Sequence, residues 1–292
     1  MFTFSLVEPV LTIFMIITFS VTLMTRFALH IVENSFNLGK IHFACSEHYS
    51  QLTESSDGWY IAAPKWEDLG LKYVSVVGDS ISTYEGFVPN GYVVFYDEET
   101  QYANGLSSVY DTWWAQVNQF LHAYICVNNS YSGSRVSGAG FPAASSEERI
   151  SYLHTRIYTP DIILVYIGFN DFGNGVRIRG KNPLFEKEST LYFESAYELM
   201  LKRIKKNYPA SKVICGTLMR TRLKGHEDWV FPESFAGIPF ERYNEAIRNA
   251  CRESGCCLAE LSKLNVLYET LDGTHPTKLG HREIADTWKA CI

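Results

Sequence analysis

Long basic runs are missing from this chain. Its 26 Lys and Arg stand against 32 Asp and Glu, a net charge of -6, which argues against nucleic-acid binding as the main role. No internal repeat and no low-complexity tract interrupts the 292 residues, which sets aside solenoids and low-complexity arrays. A disulfide framework is missing as well. Seven cysteines (Cys45, Cys126, Cys215, Cys251, Cys256, Cys257 and Cys291) make an odd number without metal-ligand spacing. Cys126, Cys215 and the adjacent Cys256 and Cys257 fall in or beside predicted strands, where a free thiol behaves as a small buried apolar group. That usage fits a reducing compartment. No base is suggested near any of them, so a cysteine nucleophile lacks support. Three catalytic signatures are absent too: the Gly-x-Ser-x-Gly elbow of α/β-hydrolases, the His-Glu-x-x-His metal motif and the phosphate-binding loop.

What is present is apolar bulk, 46% of the chain, enough to fill a core without covalent staples. Residues 10–25 hold no charge and are strongly apolar. As a helix rising 1.5 Å per residue they would reach roughly 24 Å, short of the ~30 Å hydrocarbon core of a bilayer. Only Glu8 is charged ahead of them, whereas a signal peptide wants positive charge there. Arg26 and Lys40 are the first cations, so any insertion would leave the following domain on the cytoplasmic side. A marginal anchor, an interfacial helix and a start codon placed too far upstream stay open for residues 1–33. Membrane contact, if any, is expected through this segment.

Residues 34–71 read as a polar lead-in with short extended stretches at 40–44 and 59–62, ahead of a domain at 72–292. Strand and helix then alternate. Strands are expected at 73–77, 124–127, 161–166, 212–218 and 257–261, with the run at 161–166 apolar after Asp161, as in a buried parallel strand. Helices are expected at 109–122, with Trp113, Val117, Phe120 and Leu121 on one side, and at 146–158, 190–207, 240–254 and 276–290. Pro160 and Pro209 stop two of them, and Gly255 stops a third. Such alternation implies a parallel sheet with helices on both faces.

Groups with chemistry fall just after the strands, where ligands bind in open α/β sheets. Gly78-Asp79-Ser80 ends the first. Leu271-Asp272-Gly273-Thr274-His275-Pro276 lies near the C-terminus, with a carboxylate and an imidazole three residues apart. Serine is a poor nucleophile unless a base takes its proton and a third group holds the base. Between these blocks stand Asn129-Ser130-Tyr131-Ser132-Gly133 and Ile167-Gly168-Phe169-Asn170-Asp171. Gly133 lets a backbone N–H approach closely, and Asn170 offers a neutral donor, so the pair suits an oxyanion hole. Each residue has a plainer role: Ser80 as a helix cap, Asn170 and Asp171 as turn formers, Asp272 as a surface turn residue, and His275 before a Pro that opens the last helix. Four coincidences at strand ends favour the chemical role.

Ser80, Gly133, Asn170 and His275, in that order, resemble the four blocks of the SGNH (GDSL-type) hydrolases. The resemblance runs from about Lys72 to the C-terminus. It implies a flavodoxin-like three-layer α/β/α sandwich with a central parallel sheet, and an esterase, lipase-like or thioesterase activity without metal or organic cofactor. Carried over, Ser80 is the nucleophile, His275 the general base and Asp272 its orienting acid. The Ser80 N–H, the Gly133 N–H and the Asn170 side chain bind the oxyanion. One departure is that Ile81 follows Ser80 where the family has Leu, an apolar swap without consequence for the chemistry.

Two long segments, 83–108 and 219–239, are expected to shape the site. The first holds Tyr84, Phe87, Tyr92, Phe95, Tyr96 and Tyr102, a sugar-stacking face or an acyl recess unless they simply pack the loop. In the second, Arg220 and Arg222 could hold an anionic substrate group or pair with Glu227 or Glu233. The expected partner is a small acyl ester, an O-acylated sugar for example. A lysophospholipase or thioesterase working near membranes, and a non-catalytic binding protein keeping the fold, are the alternatives.

Overall fold

The computed structural model describes residues 72–179 and 190–292, and the backbone of two short strands ahead of them. Those strands are β1 (Thr53–Ser55) and β2 (Gly58–Tyr60), an antiparallel pair with Thr53 opposite Tyr60. The apolar segment 10–25, the stretch 40–44 and Cys45 lie outside the described residues. Among the described residues no helix is long and apolar enough to cross a membrane. The chain divides into two compact units, residues 1–64 and 65–292, and every remaining element belongs to the second.

In chain order these elements are β3 (Lys72–Gly78), α1 (Glu98–Ala103), α2 (Trp113–Phe120), β4 (Ala123–Ser130), α3 (Glu147–Ile150), β5 (Ile162–Tyr166), α4 (Phe169–Gly173), α5 (Phe193–Asn207), β6 (Lys212–Gly216), β7 (Thr221–Leu223), β8 (Ser234–Phe235), β9 (Ile238–Pro239), α6 (Phe240–Ser254), β10 (Cys257–Ala259), β11 (Tyr268–Thr270) and α7 (Lys278–Cys291). The main sheet runs β10–β6–β5–β3–β4, all parallel. Counted along the chain from the other edge, that is the 2-1-3-4-5 order of flavodoxin-like sheets. The order reverses at β3, from which the chain crosses first to β4 on one side and then to β5 on the other. Right-handed crossovers in opposite directions put helices on opposite faces. One layer pairs α2 with α7, and the other pairs α5 with α6.

Central position explains composition. All five residues of β5 are buried, and so is β3 from Val74 onward, because both faces of a parallel sheet are covered. Under α2 and α7 the Trp113 ring stacks on Trp288 at 5.4 Å, and Tyr166 meets both edge-on.

Several elements depart from the sequence expectation. The helix at 109–122 is broken at Thr112, which ends a 3-10 turn and caps α2 by accepting from the Ala115 N–H. The new phase buries Trp114 and turns Phe120 outward, 49% exposed. The helix at 146–158 shrinks to the single turn α3; beyond it the Tyr208 hydroxyl takes the Leu153 N–H and donates to the Ser151 carbonyl. Strand β6 ends two residues early because Asn244 binds both backbone groups of Leu218. Strand β10 likewise stops at Ala259. The final helix starts at Lys278 with Thr277 as its cap, so Pro276 is not its first residue. Cys257 is exposed, unlike buried Cys215 and Cys251. The stretch 219–239 holds β7, which pairs in parallel with β11, and the β8–β9 hairpin.

Candidate active site

Register brings three of the expected residues to one sheet edge. Gly78 at the end of β3 pairs with Ser130 of β4 and Tyr166 of β5, so Ser80, Gly133 and Asn170 each follow their strand by a few residues. The turn after β3 is tight. A Cβ on Gly78 would lie 2.6 Å from the Ser82 side chain and 2.7 Å from that of Ser130. Asp79 caps a single 3-10 turn, Ser80–Ser82, by accepting from the Ile81 N–H at 3.1 Å. Ser80 is therefore the first residue of that turn, and the cap is Asp79. The turn is anchored from below: Ser82 accepts from the indole N–H groups of Trp113 and Trp114 and from the Asn128 amide. Burial pushes the Asp79 carboxyl up to about 6, against the pull of the Ile81 N–H.

The fourth block arrives from 195 residues away. Ser80 Oγ lies 2.8 Å from His275 Nε2, and His275 Nδ1 lies 2.6 Å from Asp272 Oδ2. The other Asp272 oxygen accepts from the backbone N–H groups of Thr274 and His275, at 2.9 and 2.8 Å. Partial burial pushes the Asp272 carboxyl upward, but the hydrogen bond and charge of the His275 ring and the two N–H groups outweigh it and hold it at about 2. An ionised Asp272 accepts a hydrogen bond from Nδ1 and keeps the proton there, which leaves Nε2 as the acceptor facing the Ser80 hydroxyl. The turn is built on β11. Thr221 Oγ1 donates to the Gly273 carbonyl at 2.8 Å, and the Tyr268 hydroxyl to the Thr274 carbonyl at 2.9 Å.

Gly133 sits at φ 75°, a left-handed conformation that suits glycine, and nothing stands within 4 Å of where its Cβ would be. Its neighbours' N–H groups are spent inside the fold, Ser132 on the Val93 carbonyl and Ser134 on the Tyr131 carbonyl. Half-buried Asn170 donates through Nδ2 to the Ser134 carbonyl at 3.0 Å, which ties the two loops together. An amide nitrogen carries a second hydrogen. Buried Asp171 reaches the same loop, accepting from the N–H groups of Val136 and Ser137 at 2.7 and 3.1 Å, and burial raises it to about 6.

Comparison with known families adds an independent finding. The model of the GDSL-like lipase/acylhydrolase family matches residues 72–228, more than half of the chain. The chain belongs to this family. The match takes in Ser80, Gly133 and Asn170 and stops short of Asp272 and His275. Among solved structures, a protein of Bacteroides uniformis classed as a GDSL-like lipase is 26% identical at a TM-score of 0.58, over 77% of this chain and 97% of that one. Another, from Bacteroides ovatus, is 24% identical at a TM-score of 0.58, over 75% and 97%. No curated protein sequence matches the chain. Membership makes the protein an ester hydrolase of the GDSL-like class.

Within this GDSL-like frame, the three residues expected at the substrate are engaged elsewhere. Tyr84 is buried and meets the Phe87 ring edge-on, with centroids 5.8 Å apart. Arg220 forms two hydrogen bonds to Glu233, at 2.8 and 3.0 Å, the pairing weighed for it from sequence. Arg222 forks onto Glu283 at 3.0 and 2.7 Å, with Glu269 beside it; neither Glu227 nor Glu233 is its partner. Both guanidinium groups are spent on the chain's own carboxylates, so neither is carried forward as a substrate contact.

Sequence reasoning passed over two residues that build the site. Arg149 is fully buried in α3, and its five hydrogen bonds all go to neutral acceptors. They include the carbonyls of Gly78 and Asn129 at the ends of β3 and β4. Burial pulls its pKa down to about 10. A charged residue amid polar neighbours reads as a solvated face, and only two Ser-rich turns around it hinted otherwise. Phe95 was visible as one of many loop aromatics, but its partner is the His275 ring itself.

Proposed function

We propose that the protein hydrolyses esters of short acyl groups through an acyl-enzyme on Ser80, an O-acylated sugar or other small ester being the substrate. One observation carries the reading: an unbroken chain of short hydrogen bonds from Ser80 Oγ through His275 to Asp272, at the point where the strand order reverses. Open α/β sheets bind ligands there.

In this reading Ser80 Oγ attacks the ester carbonyl carbon while His275 Nε2 takes its proton. Asp272 stays ionised and stabilises the imidazolium. The carbonyl oxygen, now negative, is held by the N–H groups of Ser80 and Gly133 and by the Asn170 amide. Collapse of this intermediate breaks the bond to the alcohol, which leaves with the His275 proton. Water then gives a proton to His275 and its oxygen to the acyl carbon, and release of the acid returns the proton to Ser80. A lipid-directed variant of this chemistry would lean on residues 10–25, and no described residue favours it.

Replacing Ser80 with Ala and assaying an activated acetyl ester tests the proposal. Turnover is expected to fall by at least about 10³-fold. Turnover equal to that of the parent would remove the serine mechanism.

A further inference from the structure

The segment after the nucleophile returns to cover the base. Phe95 stacks face to face on His275, with centroids 3.5 Å apart and planes 8° from parallel. Aromatic pairs in general settle at centroid distances of about 4.5–7 Å, so this is a full-face contact. The next residue, Tyr96, is completely buried and donates from its hydroxyl to the Pro276 carbonyl at 2.7 Å. Neighbouring side chains of one short bend thus hold two consecutive residues of the catalytic turn.

The bend is also tied to the nucleophile. Phe95 N–H donates to Thr83 Oγ1 at 2.9 Å, and that hydroxyl donates to the Ser80 carbonyl at 3.0 Å. Glu85 N–H donates to the Tyr96 carbonyl at 3.0 Å. Phe95 is therefore placed by the very turn that carries Ser80 and rests on the ring that Ser80 must reach.

We infer that Phe95 is a positioning residue for His275, which fixes the tilt of the imidazole and favours its charged form during turnover. The inference rests on the serine reading above. Rotation of the imidazole about its Cβ–Cγ bond would sweep its edge through the Phe95 ring, so the stack blocks the motion that would exchange Nδ1 for carbon. The two Asp272 contacts set the direction within the plane, and the stack sets the plane. When the Ser80 proton arrives, the new positive charge faces the negative π-face of Phe95. That attraction exists in the charged intermediate and is weak in the resting enzyme, the condition for an interaction to raise kcat.

The test compares Phe95→Leu, Phe95→Tyr and pentafluorophenylalanine at position 95 with the parent and Ser80→Ala. Readouts are kcat and KM on an activated acetyl ester, the rate of inactivation by an activated phosphonate, and the melting temperature. Phe95→Leu is expected to lower kcat by about 5- to 30-fold, with KM changed by less than about 2-fold and inactivation slowed by the same factor as kcat. Phe95→Tyr should restore most of the loss. The fluorinated ring keeps shape and reverses the face charge, so it should lose kcat while melting like the parent, and it decides the matter even if the Leu variant does not fold. Parent-like kcat in the fluorinated protein, or a loss confined to KM, would overturn the inference while an inactive Ser80→Ala upheld the serine mechanism. An active Ser80→Ala would overturn both.

Discussion

The two halves of the site treat carboxylates in opposite ways. At the sheet edge, Asp79 and Asp171 are buried and raised to about 6. In the return turn Asp272 is 47% exposed and held at about 2. The sheet edge is rigid polar architecture: strand ends, buried side chains and backbone bonds that position donors. The return turn is an exposed loop on a two-stranded support, and its acid is matched to the His275 ring and two backbone N–H groups. In the proposed mechanism, donors that would hold an oxyanion need fixed backbone, whereas an acid that would orient a base needs to remain ionised. The difference shows that one site can draw precision from burial in one half and from pairing in the other.

The comparison breaks most easily at Arg149. Arg149→Met fills the space but removes donors from Asn129, Ser134, Pro142 and Gly78. A loss of roughly 2–4 kcal/mol in unfolding free energy is expected by urea titration, since unsatisfied buried acceptors are costly. The matching change in the other half, Arg222→Met, removes a partly exposed ion pair and should cost less than about 1 kcal/mol. Equal losses would erase the contrast.

A second measurement separates catalysis from stability within the sheet edge. Asn170→Ala is expected to lower kcat by roughly 10²–10³-fold and to leave the urea midpoint nearly unchanged. A folding defect of the kind expected for Arg149 would mean that the bond to Ser134 makes Asn170 a structural turn residue.

A third measurement reads the pH dependence of stability. Asp79 and Asp171 have folded values raised above the unfolded 3.8, so their contribution is greatest below that value and is lost as pH rises through about 6. Asp272 is depressed, so its contribution is present above 3.8 and is lost as pH falls through about 2. The two buried carboxylates thus raise unfolding free energy as pH is lowered from 7 towards 4. Buried His281, pulled down to about 3, lowers it over the same range, and Asp272 turns it down below 4. In Asp79→Asn the carboxylates' rise between 7 and 4 should shrink, while the downturn persists.

Much of this arrangement was legible in the residues. The apolar run of β5, the Gly78-Asp79-Ser80 junction and the Asp272-to-His275 spacing each follow local rules of strand, turn and tautomer. The order of four blocks along the chain carried the family. Arg149, Phe95 and Tyr96 were not legible in their roles, because an arginine on a short helix and aromatics in a long loop obey the same local rules when they serve only as surface or filler. The ends of helices and strands failed for a related reason. Thr112, Asn244 and Tyr208 redirect the backbone through side-chain hydrogen bonds to distant or competing partners, which periodicity does not contain.

By itself the sequence determined which strands are buried on both faces, where the backbone must turn, and which residue types stand at each turn, since all of these depend on neighbours within a few positions. Only the tertiary structure decided that the Ser80 hydroxyl and the His275 ring stand 2.8 Å apart, that the Phe95 face closes on that ring, and that Arg220 and Arg222 are consumed by carboxylates. Such pairings join positions far apart in the chain, and their geometry is set by sheet register and packing, which no local pattern encodes.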